Sequence, residues 1–209
     1  GLLDTLGGAA RSRNVRPNGD LARLGNVLDD KDDAVKAAAA RAVGAWKIMS
    51  LRDRVNTLAK SKNVGIPARI GAIEAAANLG DPESRETLAA LGKTGDLAVR
   101  GPAIIGLSSL NLDAAAALAA TYLAEIMPTD AAPVFQAFAE RKGGPASLAR
   151  ALAITSIKAD VAKIGLRVVG TTGRPESTLV DAINKAGKLS MAAKPPTGVE
   201  RDRLLAEVG

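Results

Sequence analysis

Five positions of this 209-residue chain, Lys36, Arg69, Arg100, Ala132 and Lys163, stand 33, 31, 32 and 31 residues apart, and their surroundings repeat with them. Three places beyond each stand Ala39, Ala72, Ala103, Phe135 and Leu166. Six beyond stand Ala42, Ala75, Gly106, Phe138 and Val169, all of them small or apolar. Residues at this spacing share one face of a helix, so each anchor opens a helix with a buried stripe. Eleven places beyond come Lys47, Gly80, Asn111, Gly143 and Arg174, where those helices should stop. A preceding helix in each unit is marked by Leu24 and Leu28, then Val55 and Leu58, Leu88 and Leu91, Leu118 and Leu123, and Leu148 and Leu152. Two helices per unit at a period near 32 residues predict an all-α solenoid of about five hairpins, in which each unit buries its apolar face only against its neighbours.

The opening of the second unit helix shows the local logic. Asp32 and Asp33 sit at the positive end of its dipole, small residues fill its face, and Lys47 lies near the negative end. The hairpin that follows runs through Ser61-Lys62-Asn63 into a helix over 66–79, with Gly80 as its stop. The fourth unit departs from the pattern, since Ala132 replaces the basic anchor and Pro133 follows it. The solenoid is assigned to residues 1–187, with residues 2–13 as an N-terminal capping helix and Asp20 capping the helix after it. Residues 188–198, with Pro195-Pro196, read as a mobile linker, and 199–209 as a short helix. Pro195 stands where a sixth anchor is due, leaving Leu179, Val180 and Ile183 without a second helix in register. That stripe is expected to be covered by the short helix folding back or by a further domain.

Composition narrows the chemistry. With 2% aromatics against 47% apolar residues, the interior must be built from Ala, Leu, Val and Ile. The chain has no His and no Cys, which removes the commonest general base, the commonest metal ligands and thiol nucleophiles together. The net charge of +6 is unevenly spread: residues 36–69 carry eight bases and one acid, 111–140 carry four acids and no base, and 141–167 carry six bases and one acid. Such alternation opposes one continuous cationic track, so nucleic acid is disfavoured as a partner. No apolar run reaches the length of a membrane span.

The candidate sites divide on the same grounds. The cluster Asp29-Asp30-Lys31-Asp32-Asp33 lacks the glycine and glutamate of a calcium loop, since Ala34 and Ala40 stand in those places, and it reads as helix capping. Gly92-Lys93-Thr94 lacks the earlier glycine of a phosphate loop, where Thr87 stands. Ser108-Ser109, Ser156 with Lys158, and Thr171-Thr172 have no histidine partner and read as polar helix ends. No catalytic, cofactor or metal residue is therefore assigned. An interaction surface is assigned instead to Trp46, Arg52, Arg54, Arg69, Arg100 and Lys163. For Trp46 a core position competes with a partner anchor. For the basic anchors, a ladder paired with acids of neighbouring turns is preferred, as Asp33 with Lys36 and Asp96 with Arg100.

The residues Asp33…Val35-Lys36…Ala39…Ala42-Val43 and Leu97-Ala98-Val99-Arg100…Ala103…Gly106-Leu107 resemble the second-helix consensus of HEAT-like repeats, over residues 20–187 and most strongly in the first three units. The resemblance implies a right-handed superhelix that is a non-catalytic scaffold for a protein partner or for neighbouring domains of the same polypeptide. Tetratricopeptide and ankyrin arrays share the period, but their aromatic and Thr-Pro-Leu-His patterns are absent from the sequence. More loosely, Gly1-Leu2-Leu3-Asp4, Arg16-Pro17 and the terminal residues 203–209 resemble the HEAT segment of large exported bacterial proteins. Those proteins join a dehydrogenase-like β-propeller, HEAT repeats and a c-type cytochrome, which implies a periplasmic or exported setting. The Cys-x-x-Cys-His haem site is missing, so no haem chemistry transfers. The alternative is a nucleic-acid binder resembling the DNA glycosylases of this scaffold, with residues 36–69 as its cationic surface. A lyase-like HEAT protein acting on pigments or cofactors ranks below both.

Overall fold

The computed structural model describes residues 17–173 and 176–189. The expected capping helix at 2–13, the stop at Arg174, residues 190–198 of the linker and the helix at 199–209 lie outside the described residues. Those described form eleven α-helices and no strand: α1 (Leu24–Leu28), α2 (Asp33–Ala45), α3 (Arg52–Lys60), α4 (Ile66–Leu79), α5 (Pro82–Thr94), α6 (Leu97–Ser108), α7 (Leu112–Glu125), α8 (Ala132–Ala139), α9 (Gly144–Leu152), α10 (Ala159–Thr171) and α11 (Ser177–Ala186). The odd-numbered helices stack on one another as one layer and the even-numbered as a second, each helix touching its counterpart in the next unit. This is an α-solenoid of five hairpins, with α11 in the first-helix place of a sixth.

The ends of the helices follow the local chemistry. Asp32 accepts from the Ala34 N–H at 2.7 Å and Asp81 from the Ser84 N–H at 3.0 Å, each satisfying an otherwise orphaned donor. Gly80 closes α4 with φ 73°, in the left-handed region that glycine enters freely. Lys47 occupies the same register after α2 with φ 50°, a conformation unfavourable for a residue bearing Cβ. The helix expected after Asp20 is shorter than its apolar pattern suggests, opening as the tight turn Leu21–Arg23 before α1.

Alanine and glycine set the closeness of the second layer. A Cβ on Gly44 would lie 2.6 Å from the Cα of Ala75, and one on Gly71 would lie 2.7 Å from the Cα of Ala37. Helices α2 and α4 therefore meet backbone to backbone, with the expected stripe of Ala39, Ala42, Ala72 and Ala75 fully buried between elements. In the fourth unit Phe135 and Phe138 take the corresponding places, fully buried, and Gly165 of α10 leaves room for the Phe135 ring. That unit is displaced as well as bulkier. α7 rests on α6, the second helix of the unit before, and on α9, rather than on its own partner α8, and in the fifth unit α9 likewise meets α8 more than its own partner α10. Helix α8 spans eight residues, and the turn Pro128–Asp130 precedes it.

At the end of the array α11 packs on α9 and α10, with Leu179 and Ile183 buried and Val180 partly so; the short helix expected to cover this stripe lies outside the described residues.

Candidate interaction surface

Three of the six residues assigned to an interaction surface lie inside the molecule. Trp46 is 7% exposed and Arg69 3%, and Arg100 is buried with them, so these three are corrected from surface to interior positions. The indole of Trp46 buries its N–H with no acceptor among the described residues. Arg69 reaches in two directions: its Nε donates to the Ala59 carbonyl at 3.3 Å, at the end of α3, and its Nη1 to Asp96 of the next unit at 2.8 Å. Arg100 repeats the pattern, donating to the Gly92 carbonyl at 3.4 Å and to Glu125 at 2.5 Å. Each arginine thus caps the carbonyl end of its own hairpin and fastens it to the following one.

The ladder exists, with a different pairing from the one its spacing suggested. Asp96 pairs with Arg69 and not with Arg100, because Arg100 turns back toward the end of α5 and across to Glu125. Arg69 lies beside Asp96 from the preceding unit, and its guanidinium holds the Asp96 carboxyl below the usual carboxylate range. Asp33 does pair with Lys36, at 2.9 Å, and also accepts from the Gly65 N–H of the next unit at 2.8 Å. That pairing lowers the Asp33 pKa, through Lys36 first and Gly65 after it. Where the fourth unit lacks its anchor, Lys158 from the fifth donates to the Glu125 and Ile126 carbonyls at 3.2 and 3.0 Å. Nothing in the repeat register marks Lys158 for that role.

The cationic stretch is largely neutralised. Of its eight bases, Lys36, Arg41, Arg52, Arg54 and Arg69 are ion-paired, with Asp33, Glu74, Asp53 and Glu83, Asp29, and Asp96 respectively. Lys47, Lys60 and Lys62 are left without an ion pair among the described residues. Arg52, Arg54 and Lys163 keep partly or largely exposed side chains, Lys163 in a local pair with Asp160 at 3.0 Å.

The displaced fourth unit opens a cleft of about 680 Å³ between α6, the end of α7 and the start of α8. Because α8 is short and begins late, the first half of α6 is left uncovered. Leu97 and Met127 line it at 54% and 63% exposed, large apolar side chains that a closed unit would bury. Tyr122 lines the cleft at 4% exposed, its hydroxyl over Gly101, where a Cβ would come within 2.8 Å of the oxygen. Burial and the charge of Asp130 push the Tyr122 hydroxyl pKa up, opposed by Arg100, whose guanidinium lies 5.5 Å from the ring centre. Neither Tyr122 nor the cleft was singled out by sequence reasoning. The available signals were the base-free stretch 111–140 and the two prolines, Pro128 and Pro133, around the missing anchor.

Among the described residues no group of three acidic side chains is placed to hold a metal ion, and no helix is long and apolar enough to cross a membrane. What the units share with known proteins is specific to their first half. Residues 21–108 match the family of HEAT repeats. That match spans α1 to α6, the three units whose seams are built from alanine and glycine. Comparison with curated proteins and with solved structures returned no match.

Proposed function

We propose that this chain is a non-catalytic HEAT-repeat scaffold that docks a protein partner or a neighbouring domain of its own polypeptide. HEAT repeats generally serve as protein-interaction scaffolds, and the observation that carries the reading here is the uncovered apolar cleft on an otherwise tightly fastened array. The buried arginines act between units, and the capping aspartates and most other ion pairs are engaged within or between them, which leaves shape and exposed apolar surface as the means of recognition. The loose resemblance to exported multidomain proteins supports placing the solenoid within a longer polypeptide, with residues 188–198 as connector.

The test is co-purification followed by reconstitution from purified components. A protein that re-forms a stoichiometric complex with the chain supports the scaffold. Reproducible turnover abolished by one substitution counts against it. The nucleic-acid alternative keeps only Lys47, Lys60 and Lys62 as unpaired cations in its proposed surface. Micromolar binding to duplex DNA at physiological ionic strength, weakened by charge reversal at Arg52, Arg54 and Lys62, would favour that alternative.

A further inference from the structure

The chain leaves its last described helix on the edge of the array that carries the open apolar side chains. Of the large apolar side chains left exposed among the described residues, Ile66, Leu97, Met127 and Ile154 all lie where a first helix gives way to a second, and Met49 alone lies on the other edge. The end of α11 reaches that same apolar edge. The Ala186 carbonyl accepts from the Ile157 N–H at 3.0 Å, and Gly187 lies so close against Ala162 of α10 that a Cβ would not fit. Lys188, at φ 49°, then turns the chain, with the Leu189 N–H donating back to the Asn184 carbonyl at 3.0 Å. Next to Ile157 stands Lys158, whose ammonium rests on the carbonyls of Glu125 and Ile126 in the wall of the cleft beside α8. One residue and one lysine side chain therefore separate the exit of α11 from that cleft. Residues 190–198 span about 30 Å when extended, enough to cross the gap along the loop that exposes Ile154.

We propose that residues 199–209 fold back into this cleft and set Leu204, Leu205 and Val208 against Leu97 and Met127, so that a partner gains the cleft only by displacing them. At helical spacing those three residues share one face, and a helix of eleven residues is marginal in water without an apolar surface to rest on. Charge does not choose the occupant. Arg100 holds Glu125 and lies over Tyr122, and Lys158 stands beside them, which offsets the acids Glu125 and Asp130. Apolar area chooses it: filling the open cleft of about 680 Å³ removes Leu97 and Met127 from water. Tethering supplies the rest, since a short connector holds the segment at an effective concentration on the order of millimolar, where a weak contact suffices. The proposal rests on the scaffold reading for the partner and on the chain alone for the contact.

The sequence has no cysteine, so single thiols can be placed in the full chain and their rates of maleimide labelling measured. Met127→Cys should label several-fold faster once Leu204→Asp and Leu205→Asp are added, whatever the protein concentration. Met49→Cys, on the opposite edge, should be unaffected by the same pair. A synthetic peptide of residues 199–209, added at millimolar concentration to the Asp variant, should restore the protection of Met127→Cys. Thermal melts show that each variant is folded. Unchanged labelling of Met127→Cys, or equal acceleration at Met49→Cys, would overturn the proposal. Acceleration at Val180→Cys in place of Met127→Cys would put the segment on α11 and overturn it as well. Protection that grows with protein concentration would give the cleft to a second copy of the chain, again overturning it. Each of these failures leaves the scaffold reading intact, which falls instead by the turnover and DNA assays.

Discussion

Replacing Gly44 or Gly71 by alanine should destabilise the protein, although alanine is the better helix former. Elsewhere in a helix interior the exchange gains about 1 kcal/mol. Here the new Cβ would stand 2.6 Å from the Cα of Ala75, or 2.7 Å from the Cα and carbonyl oxygen of Ala37. Carbon atoms rest at about 3.5–4.0 Å, so α2 and α4 must part by roughly 1 Å, and backbone atoms cannot rotate aside as a side chain would. Overpacking of this kind costs about 1–3 kcal/mol, which leaves a net loss of up to about 2 kcal/mol after the propensity gain. For a chain of this size that is a fall in Tm of up to roughly 4–8 °C. One separation relieves both clashes, so the double variant should lose less than the sum of the singles. Gly170→Ala is the control, since nothing lies within 4 Å of its added Cβ in α10, and it should raise Tm. Helical circular dichroism followed through thermal and urea unfolding, with constant m-values, measures all four. If Gly44→Ala or Gly71→Ala raised Tm as Gly170→Ala does, the backbone-to-backbone seam would be refuted.

Lys47→Gly should stabilise by about 1 kcal/mol, because the residue closing α2 already holds φ 50°; an unchanged Tm in the same melts would contradict the cap. Asp96→Ala should lower Tm by leaving the buried Arg69 guanidinium without its carboxylate, a loss moderated because water reaches the half-exposed Asp96 side. Adding Arg69→Met to it should recover part of the loss, and a double variant less stable than Asp96→Ala would refute that account. Asp96 makes no capping bond to its own helix, so the effect reports the ion pair. In pH-dependent melts, Asp33, Asp81 and Asp96 are held below the ordinary aspartate value, Asp81 against the opposing effect of its burial by bonds from Ser84 together with Glu83 and its own backbone. Their contribution is present above about pH 4 and lost as pH falls through their lowered folded values. The raised Tyr122 works in the opposite sense, its contribution being lost as pH rises past about 10. With no histidine the curve should be level between pH 6 and 9, and a transition centred in that window would refute the assignment.

The period, the two-helix unit and the bounds of α4 were legible because they depend on residues a few places apart on one face. The small stripe Ala39, Ala42, Ala72 and Ala75 could be read for the same reason, and Gly80 because one backbone conformation demands it. The partner of Asp96 could not be read, since two arginines stand within reach and the choice depends on which way Arg100 turns across the stack. Trp46 was open between core and surface until the path from α2 into the turn Met49–Leu51 placed it inside. The cleft escaped because it arises from displacement of one whole unit. A missing anchor and two prolines announce that the register breaks, without saying which surface the break exposes.

The two kinds of seam also give the array uneven stiffness. Between α2 and α4 the load passes from backbone to backbone, and sliding would drive Gly44 and Gly71 against neighbouring Cα atoms. Between α8 and α10 it passes through the Phe135 ring against Gly165, which can yield by rotation about side-chain bonds. Under tension along its length, the molecule should therefore stretch first at the seam between the fourth and fifth units, while the first units move together as one stiff block.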